Sequence, residues 1–397
     1  MKHSLAALPR EVWLMGWISL VNDSASELVY PLLPLYLTSV LMAGPRALGL
    51  IEGVAEATAS LLKLVSGVLV DRTQRTRPWI VGGYGLAGLA RPLIAIVSSW
   101  PGLLLLRFAD RVGKGLRSSP RDALLAACTS PEQRGLAFGV HRAMDNAGAV
   151  IGPLLAALLL AGGVPLRQIL LGSLLPGLVC LALALSLKER PMERGSLAVP
   201  APRSGVLEGR LGVLPPALRQ FLGVVALFTL GNSSNLFLLL RARELGVPAA
   251  QVPLLWAGVS AVAMLFSAPL AGWSDRVGRW QLLAGGYGAY GLFYLLLGAL
   301  QRGGGGLFLL FAFYGLFMAA TEGVEKALVA DLAPAGLRGR AFGWFNMTTG
   351  VVLLPASAGF GWLYQAVGPQ AAFTFAASCS LVAALLMLVL RPGAVPS

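Results

Sequence analysis

Apolar stretches of about 20 residues, the length a helix needs to cross a bilayer, recur from one end of this sequence to the other. LLGSLLPGLVCLALALSL, FLGVVALFTLGNSSNLFLLL and AAFTFAASCSLVAALLMLVL are three of them. In hydrocarbon no water satisfies the backbone, so a chain of such stretches folds as helices that close their own hydrogen bonds. The composition agrees, with 56% of residues hydrophobic and 12% charged, where soluble domains carry roughly 25% charged residues. Mean hydropathy is +0.73. The expected class is an all-α polytopic membrane protein.

Twelve transmembrane helices can be drawn, at 12–41, 47–70, 79–98, 102–127, 135–160, 166–187, 219–240, 250–273, 280–300, 307–331, 340–364 and 371–390. One long connection, rich in Pro, Gly, Ser and Arg, interrupts them. It divides the chain into an N-terminal six-helix bundle (1–188), a linker (189–218) and a C-terminal six-helix bundle (219–397). The net charge of +13 does not point to nucleic acid, because the basic residues collect in short connections. Arg72, Arg75, Arg77, Lys188, Arg276, Arg279, Arg338 and Arg340 fall on one side, and only Arg46, Arg167, Arg241, Arg243 and Arg302 on the other. The positive-inside rule then puts both termini and the linker in the cytoplasm of a cell whose inner (plasma) membrane holds the chain. MKHSLAALPREVW runs directly into the first span, so the N-terminus is expected to be mature sequence and not a cleaved signal.

The two bundles repeat. DRTQR at Asp71 precedes RGLAFG at Arg134 by the same interval at which DRVGR at Asp275 precedes RGRAFG at Arg338. Two six-helix halves of like orientation are an architecture of secondary transporters.

With these motifs the chain resembles the major facilitator superfamily over nearly its whole length. GVLVDRTQR is similar to the family's G-x-x-x-D-R-x-G-R loop through Gly67, Asp71, Arg72 and Arg75, with Gln74 at the glycine position. The second copy keeps Asp275, Arg276, Gly278 and Arg279 and has Ala271 at the first glycine. Arg111 and Gly115 match R-x-x-Q-G, with Lys114 for Gln, and Gly148, Gly152 and Pro153 match the antiporter-associated G-x-x-x-G-P. NDSASELVYP and RVGKGLRSSPRDAL, the NDxxSE…YP and RxGKGxRxxPRDAL segments, are similar to a bacterial branch of the family. The resemblance implies two pseudo-symmetric bundles, alternating access, and a cavity lined by the first, fourth, seventh and tenth spans. It also adds weight to a conformational latch formed by Gly67, Asp71, Arg72, Arg75, Asp275, Arg276, Gly278 and Arg279. The alternative for these loops is a topology signal with solvated charges, since surface pairs contribute little. For the helix 5 glycines the alternative is static packing.

The charged residues inside the spans constrain function most, since each costs about 2.5–3.5 kcal/mol at a helix centre. Asp23, Glu27 and Tyr30 share a face of the first span, beside Asn22 and ahead of Pro31 and Pro34, which should kink it. The second span carries Glu52, Glu56 and Lys63, the fifth His141, Arg142 and Asp145, and the tenth Glu322, Glu325 and Lys326. Glu52 lies near an outer end, where it can simply be hydrated. The seventh supplies Asn232, Ser233, Ser234 and Asn235, suited to hydrogen-bonding a ligand. At about 100° per residue, Arg107, Asp110, Arg111, Lys114, Arg117 and Arg121 of the fourth span fall within roughly 140°, one stripe that can face a water-filled cavity. Asp110 and Lys114 are spaced to pair at i,i+4, and Arg111 and Arg117 to meet Asp23, Glu27, Glu322 or Glu325. The alternative is that Arg117 and Arg121 only snorkel to the surface. The substrate and proton pathway is assigned to Asp23, Glu27, Tyr30, Arg111, Lys114, Arg117, Asn232, Asn235, Glu322 and Glu325. A buried ion network that fixes helix register is the competing reading.

The function expected is secondary active transport of a small organic solute, as a proton-coupled exporter. Uptake or facilitated passage of an organic anion, a lysolipid flippase and a non-transporting membrane sensor are the alternatives. No enzyme is expected: HExxH and GxSxG are absent, and Gly303 to Gly306 lead to no GK[ST]. Cys128, Cys180 and Cys379 have no metal-ligand spacing, so no cofactor or metal is expected. The expected partners are the solute, protons and the lipid bilayer, with no nucleic acid, and the chain is expected to be a monomer.

Overall fold

The computed structural model describes residues 8–73, 75–129, 134–188, 214–333 and 338–390. Among them every regular element is helical. The α-helices are α1 (Arg10–Val29), α2 (Leu33–Ser39), α3 (Pro45–Thr73), α4 (Arg77–Leu93), α5 (Trp100–Ala127), α6 (Arg134–Ala161), α7 (Leu166–Gly172) and α8 (Leu174–Leu185). The second half holds α9 (Pro216–Gly231), α10 (Leu236–Glu244), α11 (Val252–Val277), α12 (Arg279–Ala299), α13 (Gly305–Leu332), α14 (Arg338–Ala366) and α15 (Pro369–Val389).

Proline decides several boundaries. It stands at or next to the start of α3, α4, α5, α9 and α15, where a missing N–H costs nothing because the first turn has no intrahelical acceptor for it. Pro31 interrupts the first expected span: α1 ends at Val29, Tyr30–Leu32 form a 3₁₀ turn, and α2 resumes at Leu33. Gly278, one of the predicted latch residues, caps α12 at φ +97°, a conformation open to glycine and strained for other residues.

Among the described residues, eight helical stretches are long and apolar enough to cross a membrane: Arg77–Ile96, Val140–Ala161, Leu166–Leu185, Pro216–Glu244, Ala249–Ser267, Arg279–Ala299, Gly305–Val329 and Pro369–Val389. The other expected spans are helical too, as α1 with α2, α3, α5 and α14. The expected linker lies largely outside the described residues. Leu158, Leu175 and Leu309 are 69%, 71% and 76% exposed, while Arg91, Arg107 and Asp110 are buried. Apolar outside and charged inside inverts the soluble pattern and suits a lipid solvent.

The chain forms two compact units. The first comprises Met1–Met42, Val54–Arg203 and Ala249–Ala257; the second comprises Ala43–Gly53, Ser204–Pro248 and Gly258–Ser397. Close helix contact in the first unit rests on glycine. A methyl group at Gly152 of α6 would lie 2.6 Å from the Leu28 nitrogen and the Ser24 carbonyl oxygen of α1. At Gly148 it would lie 2.6 Å from the Leu20 carbonyl oxygen and 3.0 Å from Cβ of Asp23. The predicted antiporter-like glycines are therefore where α1 and α6 touch backbone to backbone, with Pro153 inside α6 beside them. Gly152→Ala should lower thermal stability in detergent by about 1–3 kcal/mol, since backbone atoms cannot rotate away from an added methyl. Gly285→Ala, a site with nothing within 4 Å, should be neutral or slightly stabilising. Equal melting of the two variants would contradict this packing.

Candidate functional site

In the first unit, α1, α3, α4, α5 and α6 bring their charges together. Asp110 of α5 is the centre. Its Oδ1 accepts from Arg91 Nε of α4 at 2.9 Å, and its Oδ2 from Arg107 Nη1 at 3.3 Å. Arg91 Nη1 also donates to the backbone oxygen of Asn22 at 3.2 Å and to its Oδ1 at 3.0 Å. Asn22 Nδ2 then donates to Asp23 Oδ1 at 2.7 Å. The i,i+4 pairing of Asp110 with Lys114 expected above does not form, because two buried guanidiniums already hold this carboxylate.

Arg111 pairs with Glu56 of α3 at 3.2 Å, an acid of the expected second span and not one of the four candidates proposed for it. The guanidinium of Arg117 lies 4.5 Å over the ring of Tyr84, a cation–π contact, and the residue is 5% exposed. It is buried, so it does not reach out to a surface. Arg121 pairs with its neighbour Asp122 at 3.0 Å. Glu27 accepts from Trp256 Nε1 at 2.9 Å, Trp256 packs on Tyr30 at 5.5 Å between centroids, and Arg107 lies 5.9 Å over the Tyr30 ring.

On α6, Asp145 accepts from Ser19 Oγ of α1 at 2.6 Å and pairs with Arg142 at 3.3 Å. Its carboxyl lies next to that of Asp23, where the Gly148 contact draws the two helices together. His141 is buried, and its Nε2 has no hydrogen-bond partner among the described residues.

The second unit carries a different kind of site. The apolar run of the seventh span does not form one helix: α9 ends at Gly231 and α10 begins at Leu236. Between them Asn232 adopts φ −85°, ψ 87°, and the Ser233 N–H reaches back to the Gly231 carbonyl at 3.1 Å. Tyrosines of α12 and α13 bind the freed polar groups. Tyr290 donates to the Gly231 carbonyl and to Asn232 Oδ1, both at 3.2 Å, and Tyr314 donates to Asn235 Oδ1 at 2.7 Å. Ser233 and Tyr294 share a hydrogen bond of 3.1 Å. Ser234 Oγ donates to Glu52 Oε2 at 3.4 Å, and Glu52 is buried, not hydrated as one reading of its position suggests.

Of the two acids predicted on the tenth span, Glu325 is half-buried and accepts from Tyr287 at 2.8 Å, while Glu322 is exposed. The side chains of Gly67, Asp71, Arg72, Asp275 and Arg276 from the predicted latch lie outside the described residues. Arg75 is exposed. Arg279 donates to the Ala327 carbonyl at 2.8 Å and pairs with Asp331.

Arg91, Tyr287, Tyr290, Tyr314 and Trp256 were not singled out from the sequence. Arg91 had a readable signal, a lone charge inside an apolar span. Tyr287, Tyr290 and Tyr294 follow i, i+3, i+7 on α12, a helical face visible in GGYGAYGLFY. Trp256 carried no comparable signal.

A family model described as Major Facilitator Superfamily matches residues 12–240 and 220–397. The MFS-type transporter MJ1317 of Methanocaldococcus jannaschii is 32% identical over 390 residues, covering 96% of this chain and 95% of that protein. The multidrug resistance protein MdtH of Yersinia pestis (strain Pestoides F) is 26% identical over 353 residues, covering 85% of this chain and 82% of that one. Among solved structures, a variant of the nucleoside transporter NupG superposes with a TM-score of 0.84 at 13% identity, covering 96% of this chain and all of that one (100%). At that identity the likeness is one of fold.

Proposed function

The chain belongs to the Major Facilitator Superfamily, a family of multi-pass membrane transporters and not of enzymes, and from that premise we propose that it is a proton-coupled exporter of a small organic solute. In this reading twelve spans in two six-helix bundles, 1–188 and 219–397, sit in the inner membrane with both termini cytoplasmic, and the solute crosses by alternating access.

The observation that carries it is the acid pair of the first unit. Asp23 and Asp145 come from two helices and meet inside a spanning bundle. Two carboxyl groups so close do not both ionise cheaply, so the low-energy arrangement holds one proton between them. A single exchangeable proton next to a cationic stripe is what coupled transport requires. The export direction draws support from the multidrug resistance relative and from the glycines at which α1 and α6 meet.

Asp23, Glu27 and Tyr30 with Arg111, Lys114 and Arg117 form the pathway in the first unit. Asn232, Asn235 and Glu325 serve the second, and Glu322, exposed on the same helix, extends it. The doubled loop with Asp71 and Asp275 acts as the latch.

The stripe itself is tested by Arg111→Lys and Arg117→Lys. Lysine keeps the charge and loses the planar fork that spans Glu56 or stacks on Tyr84. Both variants should reach the membrane normally, with flux into inverted vesicles falling at least about tenfold, some 1.4 kcal/mol of transition-state stabilisation. Wild-type flux in both would return the stripe to a structural role.

A further inference from the structure

Most charges of the α5 stripe are accounted for by partners. Arg107 holds Asp110, which also binds Arg91; Arg111 holds Glu56; Arg121 holds Asp122. Two cations remain. Lys114 is half-buried, and among the described residues no carboxylate lies within ion-pair distance of it. Arg117 is more than nine-tenths buried, yet its Nη1 has no hydrogen-bond partner among the described residues. The face of Tyr84 compensates its charge in part and accepts no N–H in the ring plane.

A buried guanidinium N–H without an acceptor is costly, and folded proteins keep such groups where something else supplies the acceptor. Lys114 and Arg117 stand at i,i+3 and so on one face of α5. The charges around Lys114 are Arg111, Arg117, Glu56, Asp23 and Glu27, and those around Arg117 are Arg91, Asp110 and Asp23. Glu27 already accepts from Trp256. Glu56 and Asp110 are already neutralised by arginines. Asp23 is held by Asn22 and lies against Asp145, an arrangement that favours one proton shared between them. The balance at this point of the helix is positive.

The geometry points to an oxyanion subsite: Lys114 and Arg117 together take a carboxylate-type group of the transported solute. A forked guanidinium beside an ammonium matches a two-oxygen anion, and it supplies the missing acceptor for Arg117 Nη1. The assignment rests on the transporter reading and names the class of solute, an organic anion.

The test reads charge at the subsite without needing the solute. Ser118 follows Arg117, lies one turn from Lys114 and is half-buried. Ser118→Cys is made in full-length protein with Cys128, Cys180 and Cys379, all buried, changed to Ala. Its reaction is timed with the anionic sulfonatoethyl and the cationic trimethylammonioethyl methanethiosulfonates. The anionic reagent should react at least roughly tenfold faster, as a cationic cleft concentrates anions. Lys114→Gln should cut the preference several-fold, and Lys114→Gln with Arg117→Gln should abolish it. Equal or faster reaction of the cationic reagent, a preference that survives both substitutions, or no reaction with either reagent overturns the subsite. A tenfold preference in protein that moves no solute in vesicles would instead sink transport and leave the anion subsite standing.

Discussion

Asp110→Leu is expected to lower the stability of the protein in detergent by about 3–5 kcal/mol, the cost of removing one partner from a buried charge network. Leucine fills a similar volume, so the loss reads electrostatics and not a cavity. Arg91 and Arg107 are buried with Asp110, and in the variant both guanidiniums face each other with no anion between them. Arg91→Met should cost less, because Asp110 keeps Arg107. The order of the two effects distinguishes a central carboxylate from a set of independent pairs. Thermal melting of detergent-purified protein measures it. An Asp110→Leu variant that melts with the wild type would mean the network is hydrated and carries little of the fold.

Asp23→Asn is expected to abolish proton movement coupled to solute, with loss of at least about a hundredfold in rate, the lower end of what a positioned proton-transfer group contributes. Asparagine is nearly isosteric and keeps an oxygen for the Asn22 donor, so folding should survive. What it removes is one of the two carboxyls to which the proposed function assigns the exchangeable proton. Asp145→Asn should have a smaller effect, since Ser19 and Arg142 still anchor that position and Asp23 keeps its carboxyl. The measurement is pH-dye quenching in proteoliposomes, driven by a solute found through ligand-induced thermal stabilisation. Full coupled flux in folded Asp23→Asn would move the carrier elsewhere, with Glu27 and Glu325 next.

Much of the first unit's site was legible one helix at a time. A 100° advance per residue was enough to put Arg107, Asp110, Arg111, Lys114, Arg117 and Arg121 on one stripe. The cost of charge in hydrocarbon was enough to mark Asp23, Glu27 and Glu325. Partners were not legible. Asp110 finds Arg91 on α4 and Arg111 finds Glu56 on α3, because periodicity gives the face of each helix and says nothing of how its neighbour is rotated. The seventh span shows the same limit. Its hydropathy is that of a continuous helix, and NSSN within it reads as polar groups suited to hydrogen-bonding a ligand. The break at Asn232 to Asn235 exists because Tyr290, Tyr294 and Tyr314 supply hydrogen bonds that the unwound backbone and side chains need.

The sequence by itself determined the solvent and the class of fold. Recurrent apolar runs can satisfy their backbone in lipid only as helices, and that argument depends on local composition alone. It also determined that charges would line interior faces, since no other placement is affordable in hydrocarbon. Only the tertiary structure decided which charge neutralises which. Ion pairing depends on distances of a few ångströms between helices far apart in sequence, and those distances are set by contacts such as Gly148 and Gly152 against the α1 backbone. The cations left over, Lys114 and Arg117, are therefore a property of the packing and not of the stripe that carries them.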